Sequence, residues 1–263
     1  MKKIAIVTGG SSGIGRAAAE SLTASGVKVY EFSRRERISE GIIHKTVDVT
    51  DEESVNGAVQ EIYMSEGRID ILVNCAGFGI SGAIEFTELK DAKRQLDVNF
   101  FGTVSCTKAV LGIMRKQKSG RIVCISSVAG PIPIPFQAFY SASKAAINSY
   151  VMALANEVKP FGISVCSVQP GDIASSFTEA RAKSIAGDSE YGGRISAGVS
   201  VMEKDERGGM KPETAGSYIA LVALRKKVKP LYAIGFKYKL FCVIMKLLPC
   251  RLSNWMIGLI YAG

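Results

Sequence analysis

The sequence predicts a doubly wound α/β fold, and three observations carry that expectation. Short β-rich runs alternate with longer helical stretches from one end to the other. Several of those runs, such as Ile71-Leu72-Val73 and Ile122-Val123-Cys124-Ile125, are apolar without alternation, as strands covered on both faces are. The intervals between them are long enough for the right-handed helical crossovers that parallel strands need. With 263 residues, 47% hydrophobic and 22% charged, the chain can build a sizeable core, and disorder is excluded as its main state.

The elements follow in order. Ile4–Val7 reads as the first strand, a buried one rather than a signal peptide, because no long apolar stretch follows the initial charges. Gly13–Ser25 reads as a helix stopped by Gly26. Val27–Phe32 and Ile42–Val47 are the next strands. Thr50-Asp51-Glu52-Glu53 reads as a capping box that opens a helix ending near Gly67. Ile69–Asn74, Ile122–Ser126, Ile163–Gln169 and Leu231–Ile234 complete a sheet of about seven strands. No repeat or composition break marks a second domain. Residues 1–236 are expected to form one domain, with 237–263 as a basic, apolar helical extension.

Charge and cysteine usage narrow the function. There are 33 basic and 24 acidic residues, net +9, and eight of the basic ones lie in 225–263, which holds no acid. The remainder is nearly neutral, which does not suit a nucleic-acid-binding domain. The six cysteines show no Cys-x-x-Cys spacing and several lie in strand-like runs, so buried free thiols in a reducing cytoplasm are expected. The single histidine, His44, excludes sites built on several imidazoles, and no metal is expected.

Thr8-Gly9-Gly10-Ser11-Ser12-Gly13-Ile14-Gly15 joins the first strand to the first helix. Glycines allow close backbone approach, and the helix start presents free N–H groups and positive dipole to an anion, so the loop reads as a phosphate cradle of a Rossmann-type fold. The spacing resembles that of the short-chain dehydrogenase/reductase family. The resemblance implies that Thr8 braces the loop while Gly9, Ser11, Ser12 and Ile14 line the cofactor phosphates. At the end of the second strand Ser33 stands where NAD-binding members carry Asp, and Arg34 follows. A guanidinium there would fork onto a 2′-phosphate, which predicts NADP. Glu31 is a nearby carboxylate, two residues before the expected position. Asp48 and Val49 resemble the family's adenine-contacting pair. Asn74-Cys75-Ala76-Gly77 resembles its Asn-Asn-Ala-Gly turn along the cofactor, with Cys75 as the departure.

Tyr140 and Lys144 are spaced i, i+4 and lie on one face of a helical stretch that ends before Pro160. A neighbouring ammonium favours the phenolate and would bring the phenol toward the working pH. Ser127 ends the fifth strand thirteen residues earlier, and with Asn99 these make the family's Asn-Ser-Tyr-Lys tetrad. The resemblance implies Tyr140 as general acid/base, Ser127 on the substrate oxygen, Lys144 on the nicotinamide ribose, and Asn99 ordering a water toward solvent. Pro170, Gly171, Ile173 and Ser175 complete the cofactor contacts, with Ser175 where the family usually has Thr. Hydroxysteroid- and retinol-dehydrogenase-like members are the nearest in pattern, and a homo-oligomer, dimer or tetramer, is expected by the same resemblance.

The glycine-rich stretch Phe177–Gly209 is expected to form a substrate lid, with little periodicity of its own. Pro131-Ile132-Pro133-Ile134-Pro135-Phe136 and Phe78 suggest an apolar wall and hence a bulky apolar alcohol or ketone substrate: steroid, retinoid-like or fatty-acyl. The tail suits either packing on the protein itself or peripheral contact of 237–263 with an anionic membrane. The competing function is a non-catalytic NADP-binding sensor or scaffold, against which the intact tetrad argues.

Overall fold

A computed structural model describes residues 2–37 and 39–263. Seven parallel strands form the main sheet: β1 (Ile4–Thr8), β2 (Lys28–Ser33), β3 (Ile42–Thr46), β4 (Ile71–Asn74), β6 (Gly120–Ile125), β7 (Ile163–Gln169) and β9 (Leu231–Ala233). Their order is β3-β2-β1-β4-β6-β7-β9. The strand order therefore reverses at β1 and β4, where doubly wound sheets open a crevice beyond their carboxyl ends. A second, two-stranded sheet pairs β5 (Ile80–Ser81) with β8 (Ala182–Lys183). These strands are too short to leave a period in the sequence.

Alternate residues of each strand feed opposite layers, as the pleat requires. Ile4 and Ile6 of β1 pack with Leu72, Ile122 and Val165 on one face, while Ala5 and Val7 pack with Val73, Val123 and Val168 on the other. The first layer is closed by α2 (Glu52–Glu66), α4 (Gly102–Gln117) and α5 (Ala138–Val158). The second is closed by α1 (Gly13–Ala24) and α8 (Pro212–Leu224). Each valine, leucine or isoleucine among them, fully buried, contributes about 1.5–3 kcal/mol. Both faces are apolar, which explains the missing alternation.

The capping box is corrected in one respect. Asp51, not Thr50, caps α2, accepting from the amides of Glu53 and Ser54, while Thr50 turns back to Asp48. A carboxylate at the cap also complements the helix dipole. Gly67 ends α2 in the left-handed region at φ 70°.

The 177–209 stretch is more regular than its sequence suggests. It holds α6 (Phe177–Ala180) and a full helix, α7 (Arg194–Arg207), which buries Ile195, Val199 and Met202. The third apolar cluster joins α7 to Ile134, Phe136 and Tyr261. Beyond β9 the chain forms a helical pair, α9 (Phe236–Leu247) and α10 (Cys250–Tyr261). The remaining helix, α3 (Leu89–Leu96), leads into a wide turn over Asp97–Phe101 that precedes α4.

Candidate active site

A cleft of about 930 Å³ opens at the carboxyl ends of β1, β4 and β6. At one end is the glycine loop. Gly9 takes φ +67°, and a Cβ on Gly15 would lie 2.3 Å from the Gly9 carbonyl oxygen, so the loop folds against the start of α1 only without that side chain. Ser12, the N-cap of α1, makes no side-chain cap bond, and the first turn has no acid. Its free N–H groups and uncompensated positive dipole end suit an anion. Gly13 faces open space, with only Ser175 near its Cβ direction at 4.0 Å.

Thr8 braces a different partner from the one expected. Its Oγ1 accepts from the amides of Cys75 (3.1 Å) and Ala76 (3.0 Å), so it ties β1 to the turn after β4. The turn after β4 also packs closely on α1 at Cys75. The Cys75 Cβ lies 3.2 Å from where a Gly15 Cβ would be, a closeness that requires glycine at 15 and would be the same for asparagine at 75.

The cofactor residues expected from sequence line this cleft together: Gly9, Ser11, Ser12 and Ile14; Ser33 and Arg34; Asp48 and Val49; Ala76 and Gly77; Pro170, Gly171, Ile173 and Ser175. Asn74 does not. It is buried, and its Nδ2 donates to Thr107 Oγ1 (3.1 Å), because β4 turns this residue into the helical layer. Arg35 and Arg37 line the same end and were not foreseen. Their signal, a run of three arginines within four residues, was present in the sequence. Glu31 stays out of the cleft. Its Oε1 is engaged by His44 Nδ1 and by the Ser33 hydroxyl (3.2 Å), under the glycine loop. Asp48 is held below the ordinary carboxylate range: burial alone would raise it, but the Thr50 hydroxyl and amide and the Arg34 charge outweigh that.

At the middle of the cleft stand Ser127, Tyr140 and Lys144. Tyr140 and Lys144 come from the first two turns of α5, with Lys144 Nζ 5.6 Å from the Tyr140 ring centre. Lys144 is buried, donates to the Ile125 carbonyl (2.8 Å), and is pushed down to about 8 by that burial. The phenol behaves otherwise than expected. Burial pushes Tyr140 up to about 12, opposed by the Ser127 hydroxyl, and Lys144 does not bring it down. The ammonium is turned to the Ile125 carbonyl, and apolar surroundings disfavour a phenolate. A protonated phenol at neutral pH is a proton donor.

Asn99 is placed behind this group, fully buried in the wide turn before α4. Its Oδ1 accepts from Phe78 N and its Nδ2 donates to Phe78 O, both at 3.0 Å, and to Ser143 Oγ at 3.1 Å. Its side chain therefore fixes the backbone that follows Gly77 rather than reaching Lys144. Wide turns of this kind recur at functional sites.

The far end is walled by Phe78, Ile134, Phe177, Met202 and Tyr261. Phe136, expected on this wall, takes φ +59° and packs with Tyr191 instead. Tyr261 and Glu206 were missed, as was Tyr238. Tyr238 Oη donates to Asp172 Oδ2 (2.6 Å) and accepts from Asp172 N (3.1 Å). A Cβ on Gly171 would lie 2.2 Å from that ring, so glycine lets α9 clamp the loop after β7. No local pattern announces such a long-range contact.

Fold and cleft together define a dinucleotide-binding oxidoreductase of the doubly wound class. The chain belongs to the short chain dehydrogenase family, whose sequence profile matches residues 3–186. It is 40% identical over 269 residues to the 3-ketodihydrosphingosine reductase of Bacteroides thetaiotaomicron, covering 99% of this chain and 98% of that protein. The crystal structure of a short-chain dehydrogenase from Streptomyces avermitilis superimposes with TM-score 0.83 at 30% identity, covering 97% of this chain and 96% of the other. ElxO with NADP bound superimposes with TM-score 0.76 at 28% identity over 91% of this chain and 99% of that one. The protein is thus a dehydrogenase/reductase acting on CH–OH and C=O groups of small molecules, and the uncapped helix start with its open glycine cradle fits the nicotinamide dinucleotide that the family uses.

Proposed function

We propose that the protein reduces the ketone of a long-chain lipid to a secondary alcohol with NADPH, the 3-keto sphingoid bases being the first class to test. The observation that supports this reading is the polarity of the cleft. Three arginines border one end, mostly apolar side chains border the other, and a protonated phenol stands between them. The bound dihydronicotinamide supplies the hydride to the carbonyl carbon. As the carbonyl π bond breaks, the Tyr140 hydroxyl gives its proton to the oxygen. Ser127 donates a hydrogen bond to the same oxygen and orients it. Lys144 would hold the nicotinamide ribose hydroxyls, while Asn99 fixes the Phe78 backbone after Gly77. NADPH oxidation measured with a 3-keto sphingoid base, a steroid ketone and a retinal tests the substrate class. Turnover of the steroid alone overturns the lipid-chain reading.

Arg34 supports the preference for NADPH, since Glu31, bound to His44, is turned away from the ribose. Ser33→Asp combined with Arg34→Leu is expected to shift the NADPH/NADH ratio of kcat/KM by roughly 10- to 100-fold toward NADH, the scale of one charge-assisted fork. An unmoved ratio counts against Arg34.

Residues 1–236 form the catalytic domain in this reading, 177–209 covers the substrate, and 237–263 lies on a lipid surface. Among the described residues no helix is long and apolar enough to cross a membrane. The α9–α10 pair nevertheless exposes Phe236, Leu240, Val243, Leu247, Trp255 and Leu259 beside Lys237, Lys239, Lys246 and Arg251. Such a surface suits an anionic bilayer. Because Tyr238 and Tyr261 serve the site, substitution tests this better than truncation. Leu247→Glu with Trp255→Glu is expected to lower sedimentation with phosphatidylserine vesicles by at least about tenfold. Equal partitioning of both forms defeats membrane contact. Exposed Phe101 and Met152 provide apolar surface for a homo-oligomer, to be read by sedimentation velocity.

A further inference from the structure

Beside its apolar walls the far end of the cleft is lined by Arg94, which lies over the Phe78 ring, by Gln137, and by two carboxylates, Asp172, already bound by the Tyr238 hydroxyl, and Glu206. Glu206 stands in the last turn of α7. Its Oε2 accepts from Thr178 Oγ1 at 2.7 Å, and its Oε1 is bound by the Arg181 guanidinium. Arg181 is wholly enclosed: its side chain is 0% exposed. Its guanidinium lies 5.7 Å from the ring centre of Phe177, and that ring is 5.7 Å from the ring of Tyr140. The ion pair therefore stands one aromatic ring away from the proton donor.

Burying such a pair is unfavourable unless something uses it. A pocket for a purely apolar ketone has no use for it. One further feature points to a polar ligand. The Glu206 carboxylate has lone pairs beyond the two bonds it accepts. The nearby cations do not compete for them, since Lys183 and Arg207 both pair with Glu203. Arg181 itself is set back from the cleft wall, so the group presented to a substrate is the carboxylate. That selects a cationic head over an anionic one.

We propose that Glu206 is a specificity-determining residue that binds the ammonium of an α-amino ketone, with Arg181 and Thr178 as the positioning residues that aim it. The apolar wall then takes the hydrocarbon chain, and the ketone falls between ammonium and chain, against Tyr140. This rests on the reading of the protein as a long-chain ketone reductase and deepens it.

The test compares two soluble, shortened-chain substrates with the full-length protein and NADPH at mildly acidic pH. One is a 2-amino-1-hydroxy-3-ketone, and the other is the same ketone without the amine. The wild type is expected to favour the amine. Glu206→Gln is expected to lower the amine/deamino ratio of kcat/KM by roughly 10- to 100-fold, mainly through KM, the scale of losing one partner of a desolvated charge pair. Because Gln leaves Arg181 without its counter-charge, a second variant, Arg181→Met with Glu206→Met, removes both charges at once and is expected to give the same fall. A wild type that favours the deaminated ketone, or a ratio unmoved in both variants, overturns the assignment while leaving the reductase reading standing. A wild type that reduces neither ketone overturns both.

Discussion

Tyr140→Phe is expected to lower kcat for ketone reduction by about 10²- to 10⁴-fold, the usual contribution of a positioned general acid. The substitution removes one oxygen and no carbon, so the ring contact with Phe177 at 5.7 Å survives. NADPH affinity, followed by fluorescence, is expected to stay close to wild type, because the arginine end and the glycine cradle are untouched. The direction of the effect follows from the phenol itself. Burial holds Tyr140 at about 12, so it carries its proton throughout the neutral range and has it ready for the carbonyl oxygen. Reduction by the wild type should therefore show no loss attributable to Tyr140 between pH 6 and pH 8, several units below about 12. Wild-type kcat in the Tyr140→Phe enzyme would remove Tyr140 from the chemistry.

How far the sequence foretold this site depends on the range of the contacts involved. Tyr140 and Lys144 were legible because i, i+4 spacing on a helix is a local fact, and the glycine loop because strand, loop and helix adjoin. The near-continuous apolar runs announced buried parallel strands, and Gly67 announced the end of α2. What local pattern could not show is what distant segments do to one another. Thr50 and Asp51 are both capping residues by type, and the choice between them fell to Asp48, which engages Thr50. Asn74 reads as a cofactor residue by position in its motif, yet Thr107, thirty-three residues on, takes its amide. The pairing of Ile80 with Ala182, the clamp of Tyr238 on Asp172 and the bond between Arg181 and Glu206 are likewise long-range. The buried positions of α7 are a different case: Ile195, Val199 and Met202 keep helical spacing, and the surrounding glycines obscured it.

Lys144→Met is expected to do two opposed things. Activity should fall by roughly 10²- to 10³-fold, since the buried cation one helical turn from Tyr140, which in the proposed reading holds the nicotinamide ribose, is lost. Stability should rise. Lys144 is pushed down to about 8 from an ordinary 10.5, and it is 5% exposed. The unfolded chain therefore binds more protons than the native one between those values, and native stability increases with pH across that window. Below about 8 the full cost of the buried ammonium is present, roughly 3 kcal/mol for a gap of this size. Methionine removes that cost but also removes the hydrogen bond from Nζ to the Ile125 carbonyl, which offsets about 1 kcal/mol. The net gain of about 2 kcal/mol should appear as a higher Tm at neutral pH and vanish above pH 10.5, where the wild-type lysine is neutral in both states and only the lost hydrogen bond remains. A variant less stable than wild type at neutral pH, or a Tm difference that does not narrow as pH rises, would show that the buried ammonium is not the strained group this packing makes it.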